Sequence, residues 1–238
     1  MVSCPNCYQT MSTQALAAQV SPRPVEVDAC PHCRLFWFDQ WESTSLAPRA
    51  VLNLFQFIGT ATAPTPTPLA SRFNCVRCQN TLDFTRDLQR ATAFTYWRCN
   101  LGHGRLISFN QFLREKNFLR APSPAELARL RASVKQISCS QCGAPIDLAS
   151  DSACSHCRAP ISMIDPDSVA KAVQELAARE QGSQATANGM ATRNALNAAQ
   201  IDALFDLERI RQREGQNDLL VIGVEAIGAL VGAFLLSP

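Results

Sequence analysis

Cys139 to Ile146 reads C-S-Q-C-G-A-P-I, and fifteen residues on, Cys154 to Ile161 answers with C-S-H-C-R-A-P-I. Each half is a C-x2-C turn followed by Ala-Pro-Ile, so the unit is a pair of thiolate-presenting loops facing one another. Four soft ligands on two short loops suit a tetrahedral metal, and Zn2+ is the commonest occupant of such a set. The other seven cysteines follow the same grammar. Cys4 and Cys7 pair with Cys30 and Cys33, while Cys75 and Cys78 are followed by Cys99, which lacks a partner cysteine but has His103 four residues on. All eleven cysteines are thereby used, and the odd one is completed by the one histidine outside a C-x2-C loop. The spacing predicts three zinc ions: Cys4 sites at Cys4/Cys7/Cys30/Cys33 and Cys139/Cys142/Cys154/Cys157, and a Cys3His site at Cys75/Cys78/Cys99/His103.

Three other chemistries compete for these residues. Disulfides need an oxidising compartment, yet Met1-Val-Ser-Cys-Pro5 has no basic region or apolar signal segment, so a cytoplasmic chain with reduced thiols is expected. A thioredoxin-like redox motif is a lone C-x2-C opening a helix, whereas here the motifs come in pairs. Iron in a rubredoxin-like S4 site stays open for the two Cys4 sites.

Four protein ligands at every site leave no vacant position for a metal-bound water. His32 and His156 sit inside metal loops, the Asp and Glu residues show no paired-carboxylate spacing, and no Gly-rich phosphate loop occurs. The chain therefore reads as a binding protein without enzymatic activity.

Charge gives the binding reading its shape. Residues 70–136 carry twelve Lys or Arg against four Asp or Glu, while residues 1–69, 138–164 and 165–238 are each net acidic. Zinc-loaded, the protein is a basic block between acidic ones. That block mixes Arg77, Arg86, Arg90, Arg98 and Arg105 with Tyr96, Trp97 and several Phe, a composition single-stranded nucleic acid sites use for phosphates and stacking. An acidic surface of the same chain or of a protein partner satisfies it equally well. An interaction scaffold for a protein partner is the leading expectation, and nucleic-acid binding by the middle module is the alternative.

The elements that must position these ligands are short. In residues 1–46, Val25 to Asp28 alternates like a strand, and the aromatic run Leu35 to Glu42 can cover a metal site. Here C-P-x-C, V-x-V-D-x-C-P-x-C and W-x-D-x-x-E resemble the zinc ribbon of the transcription factor IIB-type family of bacterial proteins. The matching residues are Cys4, Cys7, Val25, Val27, Asp28, Cys30, Cys33, Trp37, Asp39 and Glu42; where the family has Gly two residues after the last cysteine, this chain has Leu35. The resemblance implies a ribbon fold and a structural metal for about a fifth of the chain, and little about function.

Residues 47–58 read as a helix with Val51, Leu54, Phe55 and Ile58 on one face, and 59–70 as a Pro-rich linker between modules free to move independently. Residues 71–120 form the basic second ribbon, strand-like over Phe94 to Cys99 and turned by Gly102 and Gly104. A helix follows from Phe109 to Leu119, where Ser108 and Gln111 make a capping-box pair. Another helix fills 121–137, opened by Ser123, Pro124 and Glu126; the third ribbon spans 138–164, and Asp165-Pro166 starts a helix over 165–180. Residues 181–194 read as a flexible linker and 195–215 as a helix. The fold class is α+β: three small zinc-ribbon modules joined by short helices, each too small to be stable without its metal.

The last stretch, 217–236, is apolar. Leu219 to Leu236 has a single charge, Glu225, and follows Arg209, Arg211 and Arg213. As a helix it would be about 27 Å long, just short of the ~30 Å hydrocarbon core. Two readings stay open: a C-terminal anchor on the cytoplasmic face of a membrane, or a helix that packs on the ribbons or on its own copies in a homo-oligomer, using the Gly228/Gly232 stripe.

Overall fold

The computed structural model describes residues 2–19, 21–40, 42–47, 50–54, 57, 67–89 and 92–181. The chain divides into two units: Met1–Asn53 with Pro66–Asn117, and Leu54–Thr65 with Phe118–Pro238. The class is α+β, with antiparallel strands and few helices. The expected linker over 181–194, the helix over 195–215 and the apolar stretch over 217–236 lie outside the described residues, apart from Gln181. Among the described residues no helix is long and apolar enough to cross a membrane.

In the first unit, β1 (Ser12–Leu16), β2 (Val25–Cys30) and β3 (Leu35–Phe38) form a meander closed by a short helix α1 (Glu42–Ser45). The chain then repeats itself: β4 (Asp83–Gln89), β5 (Thr92–Arg98) and β6 (Arg105–Ser108) form a second meander closed by α2 (Phe109–Glu115). Each half opens with a C-x2-C loop pinned by an isolated bridge, Ser3 to Thr10 in one and Asn74 to Thr81 in the other. The last strands of the two halves pair antiparallel, from Leu35 opposite Ser108 to Phe38 opposite Arg105, giving one six-stranded sheet in the order β1-β2-β3-β6-β5-β4.

This pairing corrects the expectation of independently moving modules on either side of the Pro-rich stretch. All four residues of β3, Leu-Phe-Trp-Phe, are buried. A strand apolar on both faces is a central strand, because an edge strand of a small module would leave one face wet. Leu35 and Trp37 face one core with Met11, Phe73, Leu82, Trp97 and Leu106, and that core holds cysteines of both halves. Phe36 and Phe38 face the other way onto α2. There Phe36 meets Phe109 and Phe112 edge-on at 5.8 and 5.6 Å, and Phe38 stacks on Phe112 at 5.5 Å.

Gly104 is what lets the halves approach. Its φ is +137°, and a Cβ placed there would lie 2.2 Å from the Phe38 carbonyl oxygen. No side chain fits. The helix after β6 is shorter than expected, ending at Glu115 rather than Leu119. Ser108 caps it by accepting from Gln111 N, but Gln111 Oε1 accepts from Thr95 N of β5. Asn117 then takes a positive φ of 58°, and the chain turns out of the helix.

In the second unit, β7 (Leu119–Arg120) pairs with β10 (Met163–Ile164), and β8 (Gln136–Ser138) with β9 (Pro145–Asp147). The helix α3 (Pro124–Ser133) has its full capping box: Ser123 Oγ accepts from Glu126 N, and Glu126 Oε2 accepts from Ser123 N at 2.7 Å. Helix α4 (Pro166–Gln181) starts at Asp165, whose carboxylate accepts from Asp167 N and Ser168 Oγ. Leu130, Ile137, Ile146, Leu148, Ile161 and Met163 close around Cys139, Cys142 and Cys154 as this unit's core. Of the helix expected over 47–58, the described residues 50–54 and 57 are helical.

Candidate metal centres

The twelve predicted ligands come together in three groups: Cys4/Cys7/Cys30/Cys33, Cys75/Cys78/Cys99/His103 and Cys139/Cys142/Cys154/Cys157. In each, the ligand atoms all lie within 4.8 Å of one another. All eleven cysteines are free.

One backbone device builds every C-x2-C loop. The residue just after the second cysteine is left-handed in all five: Tyr8 (φ 62°), Arg34 (50°), Gln79 (63°), Gly143 (74°) and Arg158 (61°). That turn folds the chain back so that the first cysteine's N–H and C=O are both used. Cys75 N donates to Asn80 O at 2.8 Å and Gln79 N donates to Cys75 O at 2.9 Å; the same pair recurs at Cys4, Cys139 and Cys154. Amides are thereby aimed at sulfur, with Arg77 N and Gln141 N each 3.4 Å from the sulfur of the first cysteine in their loop. The His-containing loop is one residue longer. Cys99 N donates to Gly104 O, Gly102 N to Cys99 O, and Gly102 takes φ 78°. His103 Nδ1 is thus delivered to 3.6 Å from Cys99 Sγ and 3.9 Å from Cys75 Sγ.

These separations can be tested against a metal. Ligands held tetrahedrally at about 2.3 Å for sulfur and about 2.0 Å for nitrogen stand roughly 3.8 Å apart for S to S and 3.5 Å for S to N. Sulfurs stand 3.6 Å apart at Cys7 and Cys30, 3.7 Å at Cys78 and Cys99, 3.6 Å at Cys139 and Cys157, and 3.7 Å at Cys142 and Cys154. Each group therefore holds ligand pairs at the edge length of a coordination tetrahedron, and the S4 and S3N donor sets fit a tetrahedral, thiophilic ion.

Protonation energetics lead the same way. Burial pushes the Cys75 and Cys142 thiols up to about 11. At the first centre, hydrogen bonds from Cys30 and Cys4 hold Cys33 far below the usual thiol range, and Cys33 in turn pushes Cys30 up. A divalent metal is what makes several neighbouring thiolates stable together.

Residues beyond the ligands complete the first centre. Asn6, inside the first loop, donates its amide to Cys33 Sγ at 3.2 Å and to Pro68 O at 3.1 Å, and accepts from Ala70 N at 2.9 Å. It ties a ligand to the chain entering the second half. The polar residues of the ribbon-like motif also have structural work. Trp37 Nε1 donates to Asp39 Oδ1 at 2.6 Å, Glu42 Oε2 accepts from Asp39 N at 2.7 Å, and buried Asp28 accepts from Thr13 Oγ1 at 2.6 Å. Burial lifts the Glu42 carboxyl to about 7, the Asp39 N–H working against that rise. Nothing in the single sequence marks Asn6 as a partner of Cys33, since its contact partners lie 27 and more residues away.

Among the residues predicted to touch nucleic acid or an acidic partner, Arg98 and Arg105 are cross-strand partners on β5 and β6. Arg77 is exposed at 38% but ion-paired within the unit, its Nη2 2.7 Å from Asp39 Oδ2 and 3.2 Å from Asp28 Oδ2. Arg105 is a core residue: it pairs with Glu115 at 2.6 Å, donates to Ser43 Oγ, and lies 4.9 Å over the Tyr96 ring. Trp97 is buried, with Phe73 edge-on at 4.7 Å. It offers no open face for a base. Arg86 and Arg98 are exposed, and Arg90 lies outside the described residues. Comparison with protein-family models, with curated proteins and with solved structures finds no match.

Proposed function

We propose that the chain is a non-enzymatic zinc-ribbon protein whose three zinc-held modules serve as an interaction scaffold for a protein partner in the cytoplasm. The observation that carries this reading is that the twelve ligands fall into three closed sets of four, a pattern of structural metal with no coordination position left for a substrate or water. Zinc is favoured over iron because one centre is S3N, a common zinc set, and the same loop geometry serves all three. The ribbon assignment for residues 1–46 rests on the resemblance to the transcription factor IIB-type family, and is supported by the structural use of Asp28, Trp37, Asp39 and Glu42.

A scaffold is favoured over a nucleic-acid binder because Trp97 is buried, Arg105 is largely buried against Glu115, and Arg77 is already paired with Asp28 and Asp39. An available surface is the edge strand β4, where Phe84 and Leu88 are 54% and 64% exposed on the same face as Arg86. Affinity capture of the full chain from its native cell, with and without nuclease, tests the reading. A defined protein that survives nuclease and is lost on Phe84→Ser with Leu88→Ser is expected. Recovery of nucleic acid in place of protein would overturn it. The apolar stretch Leu219 to Leu236 is carried in this proposal as a membrane tether, tested by sedimentation of the intact chain with membranes; a chain found wholly in the supernatant would remove the tether.

A further inference from the structure

We propose that the first two metal centres load and release their ions as one coupled unit, with Arg77 as the residue that links them, while the third centre exchanges separately. The inference rests on the metal-bound reading above. Three independent features of the first unit tie the centres together. Cys4, Cys30 and Cys33 of one centre and Cys75 and Cys99 of the other are buried in a single core, between Trp37 and Trp97. The strands that leave the two centres, β3 after Cys33 and β6 after His103, pair directly with one another. The loops themselves are then cross-clasped.

The clasp is specific. Arg77 lies between Cys75 and Cys78, so its backbone is fixed when that loop closes on a metal. Its guanidinium reaches Asp28, two residues before Cys30, and is held by Asp39 through two donors, Nε at 3.1 Å and Nη2 at 2.7 Å. In the other direction Asn6, between Cys4 and Cys7, holds the backbone at Pro68 and Ala70, and His32 O accepts from Thr67 N. A loop of either centre that opens loses its own ligands and releases groups that orient the other loop. Emptying one centre therefore weakens the other, and by linkage the effect is reciprocal. The third centre has its own core around Cys139, Cys142 and Cys154.

A coupling of roughly tenfold is the expected size for contacts of this kind. For two equal sites, the half-loaded form then peaks at about a quarter of the molecules, against about half when the sites are independent. The cysteine numbers make this readable. Full-length zinc-loaded protein is held in a graded chelator series, pulsed with a thiol alkylator and weighed intact. The second centre has three cysteines and the others four, so a chain with three labels can only have opened its second centre alone. In the wild type this three-label species should stay scarce, with labelling of the first and second centres appearing together on peptide mapping. Arg77→Ala, which keeps all twelve ligands, should raise the three-label species, by up to about twofold if the coupling is lost entirely. Asp39→Asn, on the partner half, should do the same, and the double variant should add little further. Arg86→Ala, an exposed arginine of the same half, should change nothing. A wild type in which the three-label species is as abundant as in Arg77→Ala would overturn the coupling, as would an effect of Arg77→Ala that Asp39→Asn does not share. Full labelling of all eleven thiols before any chelator is added would instead defeat the metal reading beneath it.

Discussion

Replacing Glu115 by alanine tests whether the basic middle block is internal structure. Glu115 is 3% exposed at its side chain and stands 2.6 Å from Arg105 Nη2, which is 13% exposed. Its other oxygen is 3.3 Å from both Lys116 Nζ and Ser43 Oγ, so the carboxylate joins α1 to α2 across the two halves of the sheet. Glu115→Ala leaves the Arg105 guanidinium buried against Tyr96 and Phe38 without its counter-ion, a loss worth about 3–5 kcal/mol. Replacing both partners by apolar groups of similar volume, Arg105→Met with Glu115→Leu, removes that penalty. It still forfeits the contacts of Arg105 with Tyr96 and Ser43 and the pairing of Glu115 with Lys116, so the double variant should lie between wild type and Glu115→Ala. Denaturant unfolding of the zinc-saturated chain, followed through the buried Trp37 and Trp97, reads these differences directly. A single substitution costing under about 1 kcal/mol, or a double variant as damaged as the single, would refute the buried-pair account and return Arg105 to the surface.

Three further predictions follow from the same unit. Gly104→Ala should cost about 3 kcal/mol or more and separate the halves, because its Cβ would sit 2.2 Å from the Phe38 carbonyl; unfolding with two resolved transitions where wild type shows one would report it, and an unchanged profile would contradict the close approach. Trp97→Ala should cost about 3–5 kcal/mol irrespective of salt, as a core truncation beside Phe73, and a salt-dependent loss of nucleic-acid binding with unchanged stability would contradict its burial. Glu42, raised to about 7 by burial, binds its proton more tightly folded than unfolded, so its contribution is complete below pH 4.5 and is lost as pH rises through 7. Relative to wild type, Glu42→Gln should therefore gain stability between about pH 5 and 8, by at most about 3 kcal/mol, and a difference that stays flat with pH would remove the shift.

The centres were more legible than the fold. C-x2-C loops fix their ligands locally, within a few bonds, so spacing in the chain predicts proximity in space, and the twelve side chains do converge in three groups. The capping box at Ser123 and Glu126 was legible for the same reason. What spacing could not reveal was the joining of the first two halves, which depends on contacts about seventy residues apart, such as Phe36 with Ile107. Its signal was the unbroken apolar run Leu35 to Phe38, which covers the first centre with Leu35 and Trp37 and is also a central strand. The ion pairs of Arg77 and Arg105 were not legible because composition counts charges without their partners. Asp39 and Glu115, which neutralise them, lie 38 and 10 residues away. The left-handed turns were hidden as well, since only Gly143 among the five residues in that conformation is a glycine.

The metal content of the full-length chain, purified without chelator and weighed intact under native conditions alongside elemental analysis, tests the central claim most directly. The account predicts three zinc ions per chain, and one fewer detectable on Cys154→Ser with Cys157→Ser, which open the third centre. A chain that carries fewer than three ions when supplied with excess zinc, or that holds iron in their place, would contradict it.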